Sequence, residues 1–300
     1  MSNYHQPVLL HESIEGLNIT TGGIYVDVTF GGGGHSKEII KNIGSGKLIA
    51  FDQDKDAIAN KIEDDRFVLV HANFSYLKQF LQFHAAPQVD GILADLGVSS
   101  HQFDTANRGF SIRFEGALDM RMNNAAKLSA ANIVAEYSVE QLQLIFSQYG
   151  EIINSKTLAQ TIFEARKKGA IKTTTELKLA TEECVRGYSA NDYYAKVFQA
   201  LRIEVNDELG ALKKFLEQTV QVMKPGARLV VISYHSLEDR LVKNFIRTGT
   251  FDGVVEKDLF GKSKTVLLKA INKKPIVPTE QEIKSNNRAR SAKMRIAEKI

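Results

Sequence analysis

Four short apolar runs recur in the first hundred residues, at Ile24–Val28, Leu48–Phe51, Phe67–Val70 and Gly91–Ala94. Between them lie stretches whose apolar positions return every three or four residues: Ser36–Ile43, Asp54–Ile62 and Phe74–His84. Short apolar runs read as strands and the longer spacing as helices, so the alternation predicts a parallel sheet with right-handed crossovers. Three of the strands end in carboxylates, Asp27, Asp52 and Asp95. In open α/β sheets ligands sit over the carboxyl ends of the strands, so these three groups should border one crevice.

The alternation stops after Asp95. Residues 102–121 read as a loop with few apolar anchors, FDTANRGFSIRFEGALDMR. A stretch of helical spacing follows, at Ala130–Tyr137, Val139–Tyr149, Asn154–Lys168 and Thr174–Arg186, with Thr174 or Thr175 able to cap the last. It continues through Tyr194–Val205 and Asp207–Met223, until Lys224-Pro225-Gly226 punctuates the chain and a strand returns at Arg228–Ser233. A helical block between two parts of one sheet reads as an inserted helical domain, residues 106–206. The α/β core is then discontinuous, residues 1–105 and 207–300. After Ser233 the pattern gives a helix at Leu237–Arg247 and a strand at Thr265–Ala270. Lys273–Thr279, with Pro275 and Pro278, can at best be an edge strand.

Composition narrows the class without choosing a function. Hydrophobic residues make up 43% and charged residues 25%, as in ordinary globular proteins. The single cysteine, Cys184, excludes an intramolecular disulfide and argues against a thiolate metal site. No basic segment leads into a long apolar stretch, and no apolar run reaches membrane-spanning length; a cytoplasmic protein with no membrane partner is expected. Net charge is uneven. Residues 1–104 carry 7 Lys and Arg against 13 Asp and Glu, and residues 207–300 carry 19 against 11. The basic surplus peaks in Lys284–Ile300, which reads equally as a polyanion-binding tail or a solvated basic terminus.

The candidate chemistry begins at VDVTFGGGGHS, residues 26–36. A strand ends in Asp27, four glycines follow, and a helix opens; the next strand, KLIAFD, ends in Asp52. Glycines let a backbone approach a ligand without a Cβ, and a carboxylate at the next strand tip can hold a ribose diol. Gly31–Gly34 with His35 would face the methionine portion of S-adenosylmethionine, Asp52 its ribose, and Phe74 its adenine. A dinucleotide would use the same loop for its pyrophosphate, but GGGGHS only half fits G-x-G-x-x-G and has no Arg or Lys beside it.

Asp95 opens ADLGVSSHQFD and would overhang the sulfonium end of such a cofactor. There it could hold an exocyclic amino group for in-line attack, or simply bind the cofactor or cap the next turn. Gln102 both donates and accepts, and suits either ligand. SYHSLEDR places Ser233, His235 and Ser236 at the end of the fifth strand, facing the same crevice, and makes His235 a second catalytic candidate. Ser236 with Asp239 also fits a loose helix cap. No G-x-S-x-G elbow accompanies them, which argues against a hydrolase. His5, His11 and His35 lack metal-ligand spacing, and no metal site is expected. Arg108, Arg113, Arg121, Arg166, Arg186, Arg202, Arg288, Arg290 and Arg295 are interleaved with Phe110, Phe114, Tyr193 and Tyr194, a combination suited to unpaired RNA, although several of these aromatics are expected in the core.

Taken together, HQPVLLHE, VDVTFGGGGHS, FDQD, HANF, DLGVSSHQFD, RGFSIR with DMRM, YGE, FQALRIEVNDEL, SYHSLEDR and NNRARSAKMRIAEK run in order along almost the whole chain. The sequence resembles the bacterial 16S rRNA (cytosine-N4)-methyltransferases, the RsmH or MraW family. That resemblance implies a Rossmann-like class I SAM-dependent methyltransferase core with an inserted helical domain that recognises substrate. It also implies S-adenosylmethionine as cofactor and N4 methylation of a cytidine in the decoding region of 16S rRNA, in the small ribosomal subunit. Carried onto this chain, the cofactor contacts fall on Gly33, Gly34, His35, Asp52, Phe74, Asp95 and Gln102. The alternatives are a non-catalytic RNA-binding or ribosome-assembly factor that keeps the cofactor pocket and, third, a nicotinamide-dependent dehydrogenase. The sequence leaves a homodimer open.

Overall fold

A computed structural model describes residues 7–185, 187, 189–255 and 265–300. His5 and Arg186 lie outside the described residues. Contacts divide the chain into two compact units, Met1–Gly97 with Leu209–Ile300, and Val98–Glu208.

The first unit holds seven strands: β1 Ile24–Asp27, β2 Lys47–Asp52, β3 Phe67–His71, β4 Val89–Asp95, β5 Met223–Ser233, β6 Leu268–Ala270 and β7 Lys293–Lys299. Its helices are α1 Leu10–Leu17, α2 Gly34–Asn42 and α3 Leu77–Phe83, and, after the helical unit, α10 Glu208–Val222, α11 Ser236–Thr248 and α12 Glu280–Ser285. The sheet order is β3-β2-β1-β4-β5-β7-β6. β1 to β5 pair in parallel, and β7 runs antiparallel between β5 and β6.

Alternation along the strands explains why the sheet is covered on both faces. Val26, Ile49, Phe51, Ile92, Ala94, Leu229 and Val231 enter one buried cluster, with Leu81 of α3, Phe215 of α10 and Phe245 of α11. Their immediate neighbours, Tyr25, Leu48, Ala50, Leu93, Val230 and Ile232, enter another, with Leu17 of α1 and Ile39 of α2. A strand buried on both faces reads as a continuous apolar run, which is the pattern these segments show.

Several sequence expectations are corrected. Asp54–Ile62 is not an α-helix but a 3-10 turn over Lys55–Asn60, opened by Asp54 accepting from the Asp56 N–H. Lys224-Pro225-Gly226 does not delay β5. The strand starts at Met223, and the pairing register with β4 shifts between Val89 and Gly91 while Pro225 and Gly226 stay exposed. The basic terminus is not a solvated tail in its second half. β7 is an interior strand with Met294 and Ala297 fully buried, and Arg295 forms a two-point ion pair with Asp239, at 2.6 and 3.1 Å. Ile276 bridges to Met294, so Lys273–Thr279 contributes one bridge to the sheet.

The second unit is helical: α4 Ser100–Asp104, α5 Ala130–Glu136, α6 Val139–Gln148, α7 Ser155–Lys168, α8 Thr174–Ala180 and α9 Ala190–Asn206. Side-chain capping boxes start four of these, at Ser99, Ser129, Ser138 and Thr173, satisfying helix-end N–H groups that would otherwise lack partners. Thr173, not Thr174 or Thr175, is the α8 cap. The segment expected to be a poorly anchored loop is in fact pinned by Phe110, Leu118 and Met120, all buried in this unit's core.

Candidate functional site

The strand order reverses direction between β1 and β4, and that switch point is where an open α/β sheet offers a crevice at its carboxyl edge. Asp27 and Asp95 end the two strands that flank it. Thr29 ties them together: its backbone N–H donates to Asp27 Oδ1 at 3.1 Å, and its Oγ1 accepts from the Asp95 N–H at 2.7 Å. Ser36, in the first turn of α2, donates to the other Asp27 oxygen at 2.7 Å. Burial raises the Asp27 carboxyl, against the charge of His35 and these hydrogen bonds. Asp27 is thus spent on joining the glycine loop, β1 and β4.

Asp95 is differently placed. Its side chain keeps 23% of its surface exposed, and Tyr234, the residue after β5, donates its phenol hydrogen to Oδ1 at 2.7 Å. His35 Nδ1 stands 3.8 Å from Oδ2. The other ring nitrogen of His35 lies 3.1 Å from the Val8 carbonyl, which can only accept, so Nε2 carries a hydrogen. Burial pushes the Asp95 carboxyl up to about 6, while the charge of His35 and the Tyr234 bond pull the other way.

Asp52 ends β2, on the other side of β1. Its oxygens accept from the Gly31 N–H at 2.7 Å and the Asp54 N–H at 2.8 Å. Burial raises it also to about 6, against those two bonds. Gly31, at φ 50°, can turn its N–H toward Asp52 because it has no Cβ. Gly33, at φ 75°, sits before α2, where a Cβ would fall 2.9 Å from the Phe30 ring; at Gly34 it would fall 2.2 Å from Pro7. Packing within the protein therefore accounts for these two glycines.

Phe74 lies in a 3-10 turn after β3, half-buried, edge-on to Phe215 at 5.4 Å between centroids. Its loop is tied to that following Asp52, since Asn73 donates to the Gln53 side chain at 2.7 Å. The structure thus links Gly31 with Asp52, and His35 with Asp95 and Tyr234, and ties the Phe74 loop to the Asp52 loop. Gln102 belongs to the helical unit, where its side-chain oxygen accepts the Ser99 N–H at 3.0 Å to close the α4 cap. His235 is the N-cap of α11: Nδ1 accepts from the Glu238 N–H at 3.5 Å, and Nε2 lies 3.2 Å from Glu238 Oε1. The cap expected of Ser236 is therefore made by His235.

Tyr234 and Thr29 were missed in the sequence. Both lie inside quoted motifs, VDVTF and SYHSLEDR, and the available signal was position: Thr29 follows β1, which flanks the switch point, and Tyr234 follows β5, the next strand beyond β4.

The residues fit S-adenosylmethionine on their chemistry. Three carboxylates on one sheet edge, Asp27 buried and Asp52 and Asp95 partly exposed, suit a ligand with a sulfonium and an ammonium, whereas a pyrophosphate would meet like charge. The strand order 3-2-1-4-5-7-6, with β7 antiparallel and acidic strand tips, defines a class I S-adenosylmethionine-dependent methyltransferase. Residues 2–300 match the sequence profile of the MraW methylase family, and the chain belongs to that family. It is 56% identical over 298 residues to the ribosomal RNA small subunit methyltransferase H of Flavobacterium johnsoniae, covering 99% of this chain and 98% of the relative. With the protein of the same name from Christiangramia forsetii it shares 54% over 301 residues, covering 100% and 99%. Among solved structures it is similar to TrmN from Thermus thermophilus, with a TM-score of 0.44 and 10% identity over 97% of this chain and 48% of that one. A likeness of that grade carries no functional weight.

Proposed function

We propose that this methylase transfers a methyl group from S-adenosylmethionine to the N4 amino group of a cytidine in the decoding region of 16S rRNA. The broader assignment, methylation of small-subunit rRNA, rests on relatives of that name matched along their whole length. The observation that carries the chemistry is Asp95, a partly exposed carboxylate at the switch point, held by one neutral donor.

S-adenosylmethionine, when bound, supplies a methyl group on a sulfonium sulfur that departs as a neutral thioether. Asp52 holds the ribose, Phe74 packs on the adenine, and Gly33, Gly34 and His35 lie along the methionine portion. Gln102 joins this set through the family resemblance. Asp95 orients the amino group by accepting one of its hydrogens, and takes that proton once the nitrogen has gained its fourth bond. His235 holds the start of α11, and with it the segment bearing Tyr234 and Glu238.

The target base must leave its stack to reach such a site, and its surrounding RNA must be gripped elsewhere. The helical unit, residues 98–208, supplies part of that grip. Most of its arginines are committed internally. Arg108 donates to the carbonyls of Arg121 and Met122, Arg166 to those of Val134 and Tyr137, and Arg202 pairs with Glu208. Phe110 and Tyr193 are core residues. Arg113 and Phe114 are both exposed and stand as the RNA contacts of choice. Among the described residues no helix is long and apolar enough to cross a membrane.

The test is methyl transfer from labelled S-adenosylmethionine to unmodified small subunits, followed by nucleoside analysis. Label in N4-methylcytidine is expected. Cofactor binding without any transfer would favour an assembly factor, and label in another nucleoside would move the target.

A further inference from the structure

Asp95 has two oxygens in unlike surroundings, and the difference is set by a residue outside the motif chemistry so far described. Tyr234 follows directly on β5, whose Ile232 is the register partner of Asp95. Its backbone N–H donates to Glu238 Oε2 at 3.0 Å, and its ring packs against the buried cluster on the α1–α2 face of the sheet. The phenol is thereby fixed from both ends, and its hydrogen reaches Asp95 Oδ1 at 2.7 Å.

We propose that Tyr234 is a positioning residue for methyl transfer: its phenol reserves Asp95 Oδ1, leaving Oδ2 to receive the acceptor's hydrogen, and holds the carboxylate in its anionic form. This rests on the reading of Asp95 as the group that accepts the amino proton.

The neighbours of Asp95 make the phenol more than a space filler. The groups facing it are His35 from α2, Asp27 from β1, and Tyr234 and Glu238 from the β5–α11 connection. Asp27 and Glu238 disfavour its negative charge, as does burial; His35 and the Tyr234 hydrogen bond favour it. Tyr234 itself is held well above its ordinary value by burial and by the charge of Asp95, so it remains a neutral donor throughout the working pH range. A neutral donor can stabilise the carboxylate without cancelling its charge. The balance is simple: the amino nitrogen spends its lone pair on the new carbon bond, the methyl leaves sulfur without its bonding pair, and one proton passes from nitrogen to Oδ2.

Replacing Tyr234 by Phe removes one oxygen and keeps the ring. Without the donor, the carboxyl should hold its proton to higher pH. The acid limb of the kcat profile, measured at saturating cofactor and subunit, should move up by about one pH unit, a roughly tenfold loss below the limb. Activity should return toward wild type above the limb, with cofactor affinity changed less than threefold. Tyr234→Met, also lacking a donor, should move the limb the same way and serves if the Phe variant does not fold. A loss equal at every pH, a loss confined to KM, or an unmoved limb would overturn the proposal. Asp95→Asn separates the two levels. If it is inactive while the Tyr234→Phe limb stays put, only the role of Tyr234 fails. If it remains active, the reading of Asp95 fails as well.

Discussion

Three acids paired with cations of β5 and β7 and the three at the tips of β1, β2 and β4 are held in opposite ways. On the β5–β7 side the acids are matched with cations: Arg295 grips Asp239 at 2.6 Å, Arg228 meets Glu298 at 2.9 Å, and Lys224 spans both oxygens of Asp90 at 2.8 Å. At the tips of β1, β2 and β4 the hydrogen bonds come from backbone N–H groups and neutral hydroxyls, and all three carboxyls are raised by burial. Cation pairing is what a fold uses to hold a charge it does not need elsewhere. Neutral donors leave more of a carboxylate's charge available to a ligand than a two-point cation pair does, although the charge of His35 offsets part of it at Asp27 and Asp95. We propose that Asp52 and Asp95 serve the ligand, whereas Asp27, bonded to Thr29 and Ser36, joins Asp90, Asp239 and Glu298 in holding the fold.

The contrast is broken hardest at Asp95. Asp95→Asn keeps shape and volume but removes the anion. Methyl transfer to small subunits should fall by about 10³-fold, in the range expected when a positioned acid–base group is lost. Thermal stability should hold, because a charge held against burial has been removed. In the wild type, protonation of Asp95 below about pH 6 should cost nearly tenfold per pH unit, since only the carboxylate can accept. Single-turnover label transfer across pH, with a melting curve for each protein, measures all three.

In the cation-paired set the expected loss is in stability. Arg295 is nearly buried, with 10% of its side chain exposed and 14% of Asp239. Arg295→Ala strands the Asp239 charge, and breaking such a pair costs about 3–5 kcal/mol. Urea unfolding should show that loss while activity per folded molecule stays near wild type. Asp52→Ala lies between the two. Cofactor affinity by calorimetry should weaken about tenfold or more, with a smaller effect on kcat at saturation.

What could be read in the sequence follows the same division. β1 to β4 announced themselves because strands covered on both faces must be apolar throughout, and their terminal Asp residues stood out against that background. The glycine run has a cause within the fold that the sequence did not show, since Phe30 and Pro7 forbid a Cβ at Gly33 and Gly34. β7 was hidden by its own chemistry. Arg295 and Lys293 read as a basic tail, and only the distant partner Asp239, 56 residues away, turns an arginine into a buried strand residue. Leu118 and Met120 were hidden likewise, because a loop of polar composition can still set single anchors into a core. Tyr234 could not be weighed from spacing at all; its role comes from lying 139 residues from Asp95 in the chain and 2.7 Å from it in space. Local pattern reports burial well, and pairing across the sheet poorly.

The smallest effect belongs to the helical unit. Its aromatics divide as the acids do: Phe110 and Tyr193 are buried at 5% and 3%, whereas Phe114 is 46% exposed beside Arg113. An exposed ring contributes little to the fold, so Phe114→Ala should leave the melting temperature within a degree or two, as surface substitutions commonly do. Stacking of an unpaired base on such a ring contributes about 1–3 kcal/mol in single-strand recognition. The variant should therefore raise KM for the subunit about five- to tenfold, with kcat and cofactor affinity unchanged. Steady-state assays over a range of subunit concentration test this. An unchanged KM would move the RNA contact away from Phe114, whereas a lower kcat at unchanged KM would place the ring in the chemistry rather than in the grip on RNA.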